Sequence, residues 1–149
     1  MIKRVLILSF LILSNIGLAQ KVRKFGAGVS IGVPTGISLN YFLNPKISID
    51  ALLSYDFDEY FNIRADFLMH KANLFTLDEY FIDIYYGAGL RMKDKKNQDF
   101  LFGPRAVAGI GHYWKSIPLE VFVEAAGVFS IFEETDFDFE AALITRWYF

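Results

Sequence analysis

Apolar and polar residues alternate along most of this chain, most cleanly at its C-terminal end. Phe137, Phe139, Ala141, Leu143, Thr145, Trp147 and Phe149 fall on one face of an extended segment. Asp136, Asp138, Glu140, Ala142, Ile144, Arg146 and Tyr148 fall on the other. Successive side chains of a strand point to opposite faces, so a period of two predicts a strand with one greasy and one charged face. The same split separates Phe61, Ile63, Ala65, Phe67 and Met69 from Asn62, Arg64, Asp66, Leu68 and His70. It recurs in Ile82, Ile84, Tyr86, Ala88, Leu90 and Met92 against Asp83, Tyr85, Gly87, Gly89 and Arg91. No stretch from Phe25 onward shows a comparable helical spacing.

With the weaker segments added, eight strands are predicted, over 25–32, 36–43, 46–55, 59–70, 79–92, 100–114, 118–131 and 136–149. Turn-like breaks separate them: Val33-Pro34-Thr35, Asn44-Pro45, Asp56-Phe57-Asp58, Lys71 to Asp78, Asp94 to Asp99, Lys115-Ser116-Ile117 and Glu133-Glu134-Thr135. Pro104 lies inside the sixth segment, where it removes a ladder hydrogen bond, so a bulge or a late strand start is expected there. No linker divides residues 20–149, which read as one all-β domain. Residues 1–19 read differently: Lys3 and Arg4 precede the apolar run from Val5 to Leu13, and the small residues Gly17 and Ala19 precede Gln20. That is the layout of a secretory signal peptide cleaved after Ala19, and the run is too short for a spanning helix.

Periodicity alone leaves two architectures open. A soluble lipocalin-like barrel points its apolar face inward around a ligand, and a membrane barrel points it outward to lipid. Three features favour the second. The polar face mixes Arg64, Arg91, Arg105 and Arg146 with Asp50, Asp66, Asp83, Glu120, Glu124 and Glu140. Gly26, Gly28, Ser30, Gly87, Gly89, Gly103, Gly109 and Gly111 would leave room for those long side chains in a narrow lumen. Aromatic residues gather toward the strand ends, Tyr41, Tyr80, Phe81, Tyr113, Trp114, Trp147 and Phe149 at one rim and Tyr55, Tyr60, Phe61, Phe100, Phe102, Phe132 and Phe137 at the other. An even count of spanning-length strands completes the pattern.

Composition excludes several classes. The chain has 149 residues, 54% of them hydrophobic, with 16 Phe, 8 Tyr and 2 Trp, which rules against disorder. Its 15 basic and 17 acidic residues, without a basic run, speak against nucleic acid as a partner. With no cysteine there is no disulfide framework, thiolate metal site, Cys nucleophile or lipidated-cysteine anchor.

The ending Thr145-Arg146-Trp147-Tyr148-Phe149, with alternation back to Phe137 behind a signal peptide, resembles the C-terminal signal of bacterial outer-membrane β-barrel proteins. The likeness places the chain beside small eight-stranded barrels of the OmpA, OmpX and OmpW kind, many without an assigned activity. It implies an antiparallel up-and-down transmembrane barrel in the outer membrane, in contact with its lipids and lipopolysaccharide. It also implies recognition of the last strand, ending in Phe149, by the barrel-assembly machinery. The short loops expected here depart from the larger-looped members, which weighs against roles in adhesion that depend on long loops.

Candidate chemistry is sparse. A lipid A-modifying barrel enzyme needs a nucleophile and a base, usually Ser with His. His70 and His112 are the two histidines, neither has a serine two residues away on its own strand, and Ser116 follows His112 in a turn. Asp56, Asp58 and Glu59, and Glu133, Glu134 and Asp136, form acidic clusters that could hold a hard cation, with solvated loop charge as the plainer reading. Gly26-Ala27-Gly28 and Gly87-Ala88-Gly89 precede no helix and are not phosphate loops. The expectation is therefore a monomeric, non-enzymatic barrel with a filled lumen, no catalytic or metal-binding residue and no cofactor. A soluble secreted lipocalin-like carrier of a small apolar ligand and a lipid A-modifying enzyme are the alternatives.

Overall fold

The computed structural model describes residues 23–56, 60–77, 80–95, 100–114, 116–131 and 135–149. Eight strands follow one another: β1 (Phe25–Val33), β2 (Gly36–Asn44), β3 (Ile47–Asp56), β4 (Tyr60–Leu77), β5 (Tyr80–Lys95), β6 (Leu101–Trp114), β7 (Leu119–Ser130) and β8 (Asp136–Tyr148). Each pairs antiparallel with the next, and β8 returns to β1 through pairs from Gly26↔Tyr148 to Val33↔Ala141, closing the barrel. Closure leaves no free edge strand, so along the paired stretches backbone groups find partners within the wall. The signal peptide expected over 1–19 lies outside the described residues.

The alternation read from the sequence becomes an inside and an outside. Inward positions are buried and polar, among them Ser38, Asp50, Arg64, Asp66, Arg105, Glu124 and Arg146. Outward positions are apolar and exposed on every strand: Val29, Ile37, Leu53, Phe67, Leu90, Ile110, Val123 and Leu143, one from each, form an unbroken ring. Apolar residues are buried among the polar ones, Leu52, Val128 and Ile144 singly and Leu68, Tyr85, Val107, Phe122 and Ala126 as a cluster on the β4 to β7 side.

Two local expectations are corrected. The segment 71–77, expected as part of a turn, continues β4, and the register shifts between Lys71 and Phe75 before Phe75↔Ile82, Thr76↔Phe81 and Leu77↔Tyr80 resume. Extra residues on one strand of an antiparallel pair break the alternation without ending the pairing. Pro104 causes neither a bulge against β5, where Leu90↔Pro104 sits in an unbroken register, nor a late start of β6. Pairing with β7 begins only at Arg105↔Val128, so the missing N–H is accommodated on that side, with Ile131 N donating to Phe102 O just beyond.

Candidate functional site: the lumen and its near mouth

The end of the barrel where β1 starts is called the near end, and the other the far end. The ten charged residues assigned to the polar face from alternation all project inward, nine of them buried and Asp83 half-buried. They form two groups. Toward the near end, Arg146 on β8 donates from Nε to Ser38 Oγ at 2.8 Å and from its two Nη atoms to Glu120 and Asp50. Three acceptors from β2, β3 and β7 thus converge on one planar guanidinium, whose fixed fork suits several oxygens at once. Tyr148 adds a hydrogen bond from its hydroxyl to Glu120 Oε2 at 2.8 Å.

In the second group, Arg105 reaches Asp66 at 3.1 Å, Glu140 at 3.0 Å and Glu124 at 2.6 Å. Arg64 lies 2.8 Å from Glu124, and Arg91 pairs with Glu140 at 2.8 Å and with Asp138 nearer the far end. The Tyr85 hydroxyl donates to Glu124 Oε2 at 2.6 Å. Isolated charges in such an interior would be very costly, and each guanidinium here is matched by carboxylates. Glycines make the space: a Cβ on Gly109 would stand 2.4 Å from the Tyr85 ring, and one on Gly26 2.7 Å from the Tyr148 ring.

Both histidines lie toward the near end. The His70 ring lies tilted between Phe42 and Tyr85, at 4.7 Å and 5.5 Å between centroids, and its Nε2 is 2.7 Å from Ser48 Oγ. Ser48 reaches it from β3, where it pairs with Leu68, so His70 is its diagonal neighbour across the strands. A search for Ser beside His along one strand cannot see this contact. Ser48 Oγ also accepts from Asn40 Nδ2 at 3.0 Å, and Ser48 is fully buried. The hydroxyl is thus held between two partners inside the wall. His112 Nδ1 donates to Phe81 O at 2.6 Å, and Ser116, in the following turn, has no hydrogen bond to it among the described residues.

Of the acidic clusters, Asp58, Glu59, Glu133 and Glu134 lie outside the described residues, and Asp136 accepts from Phe137 N at 2.9 Å. Among the described residues no group of three or more His, Asp or Glu side chains is arranged to hold a metal ion.

Above the Arg146 group, at the near mouth, lies a cavity of about 920 Å³. Its lining is unlike the rest of the lumen: Phe42, Phe81, Tyr113, Trp114 and Phe122 contribute rings, with Arg23 and Lys71 among the bordering residues. Here the wall itself is incomplete. The β5–β6 pairs stop at Asp83↔Gly111, while β4–β5 continues to Leu77↔Tyr80 and β6–β7 to Trp114↔Leu119. Side chains bridge the two hairpins instead, through the His112 contact to Phe81 O and from Tyr113 N to Asp83 Oδ2 at 3.1 Å.

No known protein-family model matches the chain, and no curated protein matches it. Among solved structures it is similar to the N-terminal β-barrel domain of Pseudomonas aeruginosa OprF, at a TM-score of 0.58 and 15% sequence identity, over 85% of this chain and 96% of that one. At that identity the likeness shows the shared fold, a closed eight-stranded antiparallel barrel.

Proposed function

We propose that this chain is a non-enzymatic integral outer-membrane β-barrel with a structural or surface-exposed role. One observation carries the reading: the barrel is inside-out relative to a water-soluble protein. An exposed apolar ring crosses all eight strands while nine charged side chains are buried in the lumen. In water that arrangement forfeits the hydrophobic gain and confines the charges, whereas a bilayer accepts the ring and closure satisfies the backbone. The likeness to the OprF barrel domain supports the same reading. A soluble carrier would need the opposite assignment of faces.

The lumen chemistry favours a structural role over catalysis. Ser48, which contacts His70, is fully buried and already hydrogen-bonded to Asn40, so its hydroxyl has no open approach for a substrate. The proposed contacts with outer-membrane lipids and lipopolysaccharide, and with the assembly machinery through β8, rest on the resemblance of the sequence to small outer-membrane barrels.

The test is expression in a bacterium with an outer membrane, followed by fractionation and gel mobility with and without boiling. Recovery in that membrane, with an unboiled band that migrates differently, is the expected result. Soluble recovery from the periplasm without a mobility change overturns the reading. Lipid A from cells expressing the protein, or its His70→Ala/His112→Ala variant, is expected to be identical. A modification present only with the parent protein would establish an enzyme.

A further inference from the structure

The two ends of the lumen differ in chemistry. Toward the far end it is lined by Ser30, Ser54, Asn62, Ser130, Arg91 and Glu140, all buried and polar. At the near end five aromatic rings surround about 920 Å³ of open space, the size of a small-molecule site. Concave apolar surface left open to water is a standing cost that an apolar occupant removes. The interior of a filled barrel does not require such a space.

Charge narrows the occupant. Glu120 is held by Arg146 and Tyr148, and Asp83 accepts from Tyr113 N and stands 4.0 Å from His112 Nδ1. Arg23 and Lys71, both exposed, are in no ion pair among the described residues, and Lys71 only overhangs the Tyr86 ring at 6.0 Å. The mouth therefore offers rings within and, at its border, two cations that no described carboxylate engages. Most of its other polar groups are already engaged, His70 with Ser48, His112 with Phe81 O, and Asp83 and Glu120 as above, so what it offers a ligand is room for an apolar body and a place for one anionic end.

The break in the wall supplies an entry. Past Asp83 and Gly111 the two hairpins are joined by side-chain contacts rather than a backbone ladder. Ile84, Trp114 and His112, on the outward register of β5 and β6, border the same cavity as the inward Phe42 and Phe122. The space thus reaches from the lumen to the outer surface between β5 and β6.

We propose that the near mouth, entered between β5 and β6, binds a single-chain anionic amphiphile such as a long-chain fatty acid. The acyl chain lies among Phe42, Phe81 and Phe122, and the carboxylate meets Arg23 and Lys71.

The two tryptophans make this measurable. Trp114 borders the cavity and Trp147 faces outward on β8, so Trp147→Phe leaves a reporter in the site and Trp114→Phe leaves a reference outside it. The folded protein in phosphatidylcholine nanodiscs is titrated with dibromostearic acid, whose bromines quench indole fluorescence on contact. The expected result is saturable quenching of Trp114, reversed by unbrominated oleic acid, while Trp147 is quenched without saturation. Arg23→Glu with Lys71→Glu raises the half-saturating concentration about tenfold, the size that two partly screened ion pairs supply. The dibrominated alcohol of the same length binds with correspondingly weaker affinity.

Parallel, unsaturated quenching of both tryptophans overturns the site. Equal binding of acid and alcohol, or no effect of the charge reversal, overturns the anionic assignment. Each variant is first checked for the unboiled gel shift. Arg23→Gln with Lys71→Gln replaces the reversal if the latter does not fold, with a smaller loss expected and no loss again overturning the assignment.

Discussion

Arg146 holds three acceptors from three other strands, so its removal strands two buried carboxylates, Asp50 and Glu120, without their cation. Arg146→Met is expected to cost about 3–5 kcal/mol, read from urea unfolding in lipid vesicles. Asp138→Asn is the contrast: the Asp138 side chain is 39% exposed beside Arg91, and its loss is expected to cost at most about 1 kcal/mol. Equal shifts for both variants would show that burial does not set the value of these pairs. At Gly109 the issue is space. Gly109→Ala places a methyl against the Tyr85 ring and is expected to cost about 1–3 kcal/mol, and much of that loss disappears in a Tyr85→Ala background. The membership of these lumen groups was legible in the sequence, since alternation put each charge on the inward face. Their pairing was not, because Arg146 and Asp50 are 96 residues apart and meet only through closure.

Along a strand, depth decides what a substitution does. Leu143 faces outward near the middle of β8, and Leu143→Arg is expected to cost about 2–4 kcal/mol in a bilayer. Tyr55, outward near the far end of β3, tolerates arginine at a cost of about 0–1 kcal/mol, since the long side chain reaches the headgroups. Unfolding both variants in vesicles checks this, and a reversed order would contradict the bilayer placement. Strand existence was readable from the period of two, most cleanly in β4, β5 and β8. The continuation of β4 to Leu77 was not, because Lys71-Ala72-Asn73 interrupts the alternation while β5 still supplies partners for Phe75, Thr76 and Leu77. Pro104 shows the converse case: a residue that breaks ladders sits quietly where its one missing donor falls on the β7 side.

For the whole molecule, closure converts eight half-apolar strands into a wall and a filled interior. Arg64, Arg105, Glu124 and Glu140 are buried side by side in the lumen, and their ion pairs cross it. Planar-bilayer recordings are expected to show insertion without steady conductance, and stable single-channel steps would contradict a filled lumen. The near mouth is distinctive because a ring-lined cavity lies beside a seam, β5–β6, whose backbone pairs stop before both strands end.

The sequence by itself determined the strand content, the all-β class and the face on which each charge lies, because these follow from a period of two that any extended chain obeys. Only the tertiary structure decided which charges pair, that Ser48 meets His70, and that a ring-lined cavity lies where the β5–β6 pairing stops. Those depend on register and on how the strands stagger around a closed barrel, and contacts between distant strands leave no mark in local spacing.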